Sequence, residues 1–155
     1  HQAIAAQLKE HSVTRRYLAI VHGQMKEEQG VIHAPVGRNP RDRMKMAVVA
    51  SGGKDAVTHY QVVKQWEKYA LVQCRLETGR THQIRVHMAH CRHPLAGDYV
   101  YGPDPCPVKL MGVTWEGQAL HAGVFGFVHP TTSRYMEFQA PPPDYFAALM
   151  GRMKE

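Results

Sequence analysis

Between Leu76 and Met88 the chain reads Leu-Glu-Thr-Gly-Arg-Thr-His-Gln-Ile-Arg-Val-His-Met, so Arg80, His82, Gln83, Arg85 and His87 crowd behind Gly79. Groups of this kind bind oxyanions. A guanidinium meets a carboxylate or phosphate with a planar fork of N–H donors and stays charged when buried. A helix N-terminus adds its own partial positive charge. Arg80, His82, Gln83 and His87 are therefore candidates for holding phosphate or ribose. The competing reading, that His82 and Gln83 satisfy buried backbone groups, stands beside it. A second cationic segment, Gly37 to Lys54, carries Arg38, Arg41, Arg43, Lys45 and Lys54 against Asp42 alone. Such a loop suits contacts to a nucleic-acid backbone, which give affinity without reading sequence, although a merely solvated loop has the same composition. His87, His90, Cys91 and His93 lie close together but lack a carboxylate at hydrolase spacing and the H-E-x-x-H pattern, so no metal is expected there.

The elements that must position these groups follow from periodicity. Ile4, Ala5 and Leu8 fall at helical spacing over Ala3 to Glu10, and Arg15 to Val21 reads as a strand closed by Gly23. Val31 to Val36 is a strand limited by Pro35 to an edge or an end. The basic segment reads as a long loop or hairpin. Ala56 to Trp66 and Tyr69 to Leu76 alternate like an antiparallel pair. Ile84, Val86 and Met88 alternate like a strand, while Ile84, Met88 and Ala89 share a helical face. A strand directly following another without reversal is awkward, so a helix capped by Thr81 and ending before Pro94 is expected. An irregular stretch through Gly97, Gly102, Pro103, Pro105 and Pro107 precedes strands at Ala119 to Val128 and Tyr135 to Gln139. Asp144 is expected to cap a last helix carrying Tyr145, Phe146, Leu149 and Met150.

Composition narrows the class. The 155 residues are 44% hydrophobic and 21% charged, enough apolar material for one domain with a core. Nineteen Lys and Arg against thirteen Asp and Glu give +6 with histidines neutral, which favours a polyanionic partner. Cys74, Cys91 and Cys106 are odd in number and widely spaced, which excludes a disulfide framework and fits the cytoplasm. No apolar run approaches the roughly 20 residues of a membrane span, and the first residues do not read as a signal peptide. A chain that opens inside a helix is expected to be part of something longer.

Ordered blocks along the chain carry a family resemblance. Arg16-Tyr17-Leu18-Ala19-Ile20-Val21-His22-Gly23, the basic loop Gly37-Arg38-Asn39-Pro40 to Lys45-Met46, and Gly53-Lys54-Asp55-Ala56-Val57-Thr58-His59-Tyr60 come first. The Leu76 to Met88 stretch, His93-Pro94-Leu95-Ala96-Gly97-Asp98 with Tyr101-Gly102, Leu120-His121-Ala122 and Phe138-Gln139-Ala140-Pro141 follow. Together they resemble the RluA/RluD-type pseudouridine synthases, which isomerise uridine in structured RNA. The resemblance implies an α+β catalytic domain built on a mostly antiparallel or mixed sheet flanked by a few helices, with residues 1–155 as its C-terminal portion. It also implies a monomer with ribosomal or transfer RNA as partner and no cofactor.

Pseudouridine formation breaks the N1–C1′ bond, rotates the uracil, rejoins it through C5 and releases the C5 proton. The resemblance implies that Tyr17 stacks on or beside the flipped uracil and accepts or relays that proton, and that Leu120 walls the base pocket. By position alone both are ordinary strand residues. An ordinary phenol titrates at about 10 and needs a cationic neighbour to act directly as a base. Arg85 matches the family arginine that pairs with a nucleophilic aspartate. That aspartate belongs to an H-R-L-D-x-x-T-S-G segment absent from these residues, and the resemblance places it, with an S4-type domain in some members, upstream of His1. Arg85 is therefore expected to face no partner, with a mobile side chain or a bound buffer anion, and the isolated chain to be inactive. A non-catalytic basic RNA-binding module derived from this family is the rival reading.

Overall fold

The structure, a computed structural model, describes residues 14–129 and 131–153. The helix expected over Ala3 to Glu10 lies outside them. The elements are β1 (Thr14–His22), β2 (Gln29–His33), β3 (Val36–Arg38), β4 (Met46–Val48), β5 (Val57–Gln65), β6 (Tyr69–Leu76), α1 (Gln83–His90), β7 (Val108–Leu110), β8 (Val113–Trp115), β9 (Leu120–Val128), β10 (Tyr135–Gln139) and α2 (Asp144–Arg152). Six strands form one sheet in the order β10-β9-β1-β6-β5-β2, antiparallel at every described pairing. β1 lies in its middle, which accounts for its buried Ala19, Ile20 and Val21. β2 forms an edge, and the strand expected over Val31 to Val36 is broken at Ala34-Pro35 into β2, ending at His33, and β3, starting at Val36.

Alternation along the central strands builds two cores. Ala19 and Val21 of β1 face the same side as Ala70, Val72, Cys74 and Leu76 of β6, and Ile84 and Met88 of α1 pack there. Ile20 and Leu71 point to the other side and meet Phe146 and Leu149 of α2 with Val108, Val113 and Trp115 of the β7–β8 hairpin. The ambiguous segment is a helix, as the need for a reversal after β6 requires. Its mixed period has a physical cause: Gln83 through Met88 are all buried, so polar and apolar positions alike face protein.

Both expected caps differ from the structure. His82, not Thr81, is the N-cap of α1, in the left-handed region at φ 56° and without a side-chain cap bond. Instead the Gln83 carboxamide reaches back and accepts the Arg80 N–H at 2.9 Å. Asp144 is the first residue of α2 rather than its cap, a place where its charge still suits the helix dipole. The stretch expected to be irregular contains the β7–β8 hairpin, whose three-residue strands are too short for alternation to show. Its turn puts Met111 and Gly112 both at positive φ, and a methionine where asparagine is usual hides the signal.

The segment after α1 is laid against β1. Ala96 N–H donates to the Ile20 carbonyl at 2.8 Å, and Ala119 N–H donates to the Ala96 carbonyl at 2.8 Å. Asp104 pins the following loop, accepting from Gly97 N–H at 2.6 Å and from His22 Nε2 at 2.7 Å. Gly97 has φ +82°, and a Cβ there would lie 2.3 Å from the Gly117 carbonyl oxygen. Only glycine fits. Gly97→Ala is therefore expected to destabilise the protein by about 1–3 kcal/mol or more, read as a lowered urea midpoint at unchanged slope.

Candidate functional site

A cavity of about 340 Å³ opens where β1 and β9 approach the start of α1, and Tyr17, Leu120, Arg80, His82, Gln83 and Arg85 all line it, together with Arg15 and Gln118. Tyr17 comes from β1 and Leu120 from β9, and the register between these strands shifts at Arg16/Tyr17. Such a bulge re-aims a side chain. Arg80, His82, Gln83 and Arg85 come from the Gly79 turn and the first turn of α1. Residues remote in sequence thus share one concavity, of a volume within the range usual for small-ligand pockets, roughly 300–1,000 Å³. A larger concavity of about 720 Å³ on the far side of the sheet, with Arg16, Arg75 and Gln73, contains none of the expected site residues.

Arg85 does not stand alone, contrary to the expectation of a mobile, unpaired side chain. Its Nε donates to Asp98 Oδ2 at 2.9 Å and its Nη2 to Asp98 Oδ1 at 3.1 Å. Asp98 is 0% exposed and accepts further bonds from the Val100 and Tyr101 N–H groups, each at 3.0 Å. Burial opposes ionisation of this carboxyl, but the Arg85 guanidinium and the backbone donors outweigh it and hold Asp98 below the ordinary carboxylate value. The pair uses the Nε/Nη2 edge of the fork and leaves Nη1 outside it.

Tyr101 completes the setting. Its ring lies 5.0 Å from the Arg85 guanidinium carbon. Its hydroxyl accepts the Met46 N–H of β4 at 3.0 Å and is hydrogen-bonded to His82 Nδ1 at 2.9 Å. Burial, then the Arg85 charge, lowers His82 below its ordinary value, which favours the neutral ring. Tyr101 also packs against Val36 and Val86 with Met46 and Val48. One side chain therefore joins the basic hairpin to the arginine site.

Two expected RNA contacts are corrected. His87 is 0% exposed; with its proton on Nε2 it donates to the Ala34 carbonyl at 2.9 Å and accepts the Thr58 hydroxyl on Nδ1 at 2.8 Å. Gln83 is buried too, donating to the Val57 carbonyl and Thr58 Oγ1 and accepting from Thr78 Oγ1 and Arg80 N–H. All four of its bonds are made inside the protein, so it touches the cavity without a group to offer. Burial is also the main cause that lowers His87 below its ordinary value. His87 therefore cannot join His90, Cys91 and His93 around a metal, and no such cluster exists among the described residues. The Cys74 thiol, pushed up to about 12 by burial, is no nucleophile.

The basic segment is a hairpin, β3 paired with β4. Arg38 and Lys54 line a groove of about 360 Å³ that Arg80 also lines, so this groove adjoins the cavity. Arg43 and Arg38 border a second hollow on the hairpin. Arg41 is exposed between them and Lys45 is half-buried. Residue chemistry alone does not single out Arg15, Asp98 or Tyr101. Asp98 and Tyr101 stand in a quoted motif, and Arg15 alternates with Tyr17 on β1, so each left a trace without revealing its role.

Residues 1–90 match the family model for RNA pseudouridylate synthase. The uncharacterized RNA pseudouridine synthase YlyB of Bacillus subtilis (strain 168) is 47% identical over 155 residues, which are 100% of this chain and 49% of that protein. Ribosomal large subunit pseudouridine synthase D of Zymomonas mobilis subsp. mobilis is 45% identical over 146 residues, 92% of this chain and 46% of that protein. The chain thus spans about half the length of these curated relatives. Among solved structures, human RNA pseudouridylate synthase domain containing 1 superposes with a TM-score of 0.74 at 28% identity, covering 92% of this chain and 60% of that one. The human domain containing 4 shares the fold, with a TM-score of 0.76 at 23% identity over 98% of this chain and 66% of that one.

Removing the Asp98 charge strands a buried guanidinium. Asp98→Asn is expected to cost about 3–5 kcal/mol in urea unfolding at neutral pH. Because the folded value of Asp98 lies below 3.8, its contribution is present above that pH and is lost as the pH falls through the folded value. The variant should lack this acid-sensitive component.

Proposed function

Because the chain belongs to the RNA pseudouridylate synthase family, we propose that the protein isomerises uridine to pseudouridine in structured RNA, with ribosomal RNA as substrate. The observation that supports this best is the convergence of Tyr17, Leu120 and Arg85 on one cavity. The name of the Zymomonas relative favours the large ribosomal subunit. A uridine inside folded RNA must leave its stack first, at a cost of a few kcal/mol that is least in loops and bulges. In this reading the flipped uracil lies between Tyr17 and Leu120. Tyr17 stacks on it and passes on the C5 proton.

The nucleophile in this reading is an aspartate from the part of the family's length that this chain does not span. No carboxylate lines the cavity among the described residues, and Asp98 is bound edge-on to Arg85. The guanidinium, held by Asp98 on one side, offers Nη1 to that second carboxylate, keeps it ionised and aims it at C1′. Arg38, Arg41, Arg43, Lys45 and Lys54 grip the RNA backbone outside the cavity.

The full-length protein should convert uridine in a large-subunit ribosomal RNA transcript, read by mass spectrometry. Tyr17→Phe and Arg85→Lys should each lower kcat by at least about 100-fold with little change in RNA affinity. Binding without conversion by the wild type would instead support the non-catalytic module. Substituting Arg38, Arg41 and Arg43 by alanine together should weaken RNA binding and flatten its log–log salt dependence by roughly 0.7–0.9 per lost phosphate contact. An unchanged slope would make the hairpin a bystander.

A further inference from the structure

The cavity holds a cation that the proposed uridine chemistry leaves without a task. Arg15 and Tyr17 are two apart on β1 and both line the cavity, as strand alternation allows. The guanidinium of Arg15 lies against Gly79, close enough that a Cβ on Gly79 would stand 2.1 Å from Nη1. Its Nε is buried and has no hydrogen-bond partner. A buried donor left unsatisfied is costly, and no acidic side chain among the described residues pairs with Arg15.

Arg80 follows Gly79 in the chain and likewise pairs with no acid among the described residues. Its Nε donates to the Asp55 carbonyl at 2.7 Å. Arg80 lines both the cavity and the adjoining groove with Arg38 and Lys54. Burial, with the nearby Arg80 charge adding to it and Tyr17 opposing, lowers Arg15 from its ordinary value. Among the described residues no acid offsets either charge, and an anion held by both guanidiniums relieves their mutual repulsion.

We propose that Arg15 and Arg80 form a phosphate subsite, which takes one backbone phosphate of the RNA directly next to the target nucleotide. This rests on the reading of the cavity as a uridine site and adds the point at which the strand enters it. From the subsite the backbone continues past Arg80 into the groove of Lys54 and Arg38. Arginine suits the task because its fork can hold two phosphate oxygens at once. Among the described residues no carboxylate pairs with Arg15, which leaves its fork to the ligand.

The test titrates the full-length protein with uridine, uridine 3′-monophosphate and uridine 5′-monophosphate by calorimetry. One monophosphate should bind about ten-fold or more tightly than uridine, the worth of a charge-assisted hydrogen-bond pair. Arg15→Gln should abolish that preference and Arg15→Lys should keep part of it, with circular dichroism melts showing that both variants are folded. Arg15→Gln should also lower the log–log salt slope of RNA binding by about 0.7. Equal affinity for all three ligands, or an undiminished preference in folded Arg15→Gln, overturns the subsite. Uridine conversion in RNA is measured separately on the wild type. A phosphate preference without conversion would sink the enzyme reading and leave the subsite standing, and conversion without the preference would do the reverse.

Discussion

The buried pair of Arg85 and Asp98 is the interaction around which the rest of the site is arranged. Taking both charges out of water costs several kcal/mol per ion, and the pair is tolerable only because its geometry is bidentate and the remaining carboxylate valences are filled. The N–H groups of Val100 and Tyr101 fill them. That requires the chain to turn sharply at Gly97, where a side chain would strike the Gly117 carbonyl. It also requires the turn to be pinned to β1 through Asp104 and His22. The central strand therefore fixes the carboxylate, and the carboxylate fixes the arginine.

A second buried polar network holds the helix that carries Arg85. Gln83, Thr58, Thr78 and His87 satisfy one another and the backbone of β5, so α1 is locked in rotation as well as in position. A half-satisfied network of this kind would be worse than an apolar one. This one is complete, and it accounts for polar side chains in a segment buried on every side. Gln83 and His87, which resemble ligand contacts by chemical type, are needed by the protein for its own assembly.

The surface left over is cationic and continuous. The cavity, the Gly79 turn and the β3–β4 hairpin present arginines and lysines with few acids between them, and Tyr101 ties the hairpin to the arginine site through the Met46 N–H. Under the proposed function, contact energy gained along an RNA backbone would be delivered close to where a base is held. In the same reading, the paired strands β1 and β9 that carry Tyr17 and Leu120 supply a wall on which a base would stack without specific hydrogen bonds.

Much of this was legible in the residues themselves. The alternation of β1, β5, β6, β9 and β10, the helix forced after Gly79 by the need for a reversal, the basic hairpin and the residues that meet in the cavity all follow from local period, turn chemistry and motif. The partner of Arg85, the burial of His87, the left-handed His82 and the β7–β8 hairpin do not. Period and composition act over a few neighbouring residues, and they specify strands and helices because those are local structures. Which charge neutralises Arg85 depends on a chain reversal 13 residues long, and which groups surround His87 depends on segments up to 53 residues away. Only the folded chain, by deciding which side chains lose their water together, determines whether a histidine is a ligand or a beam.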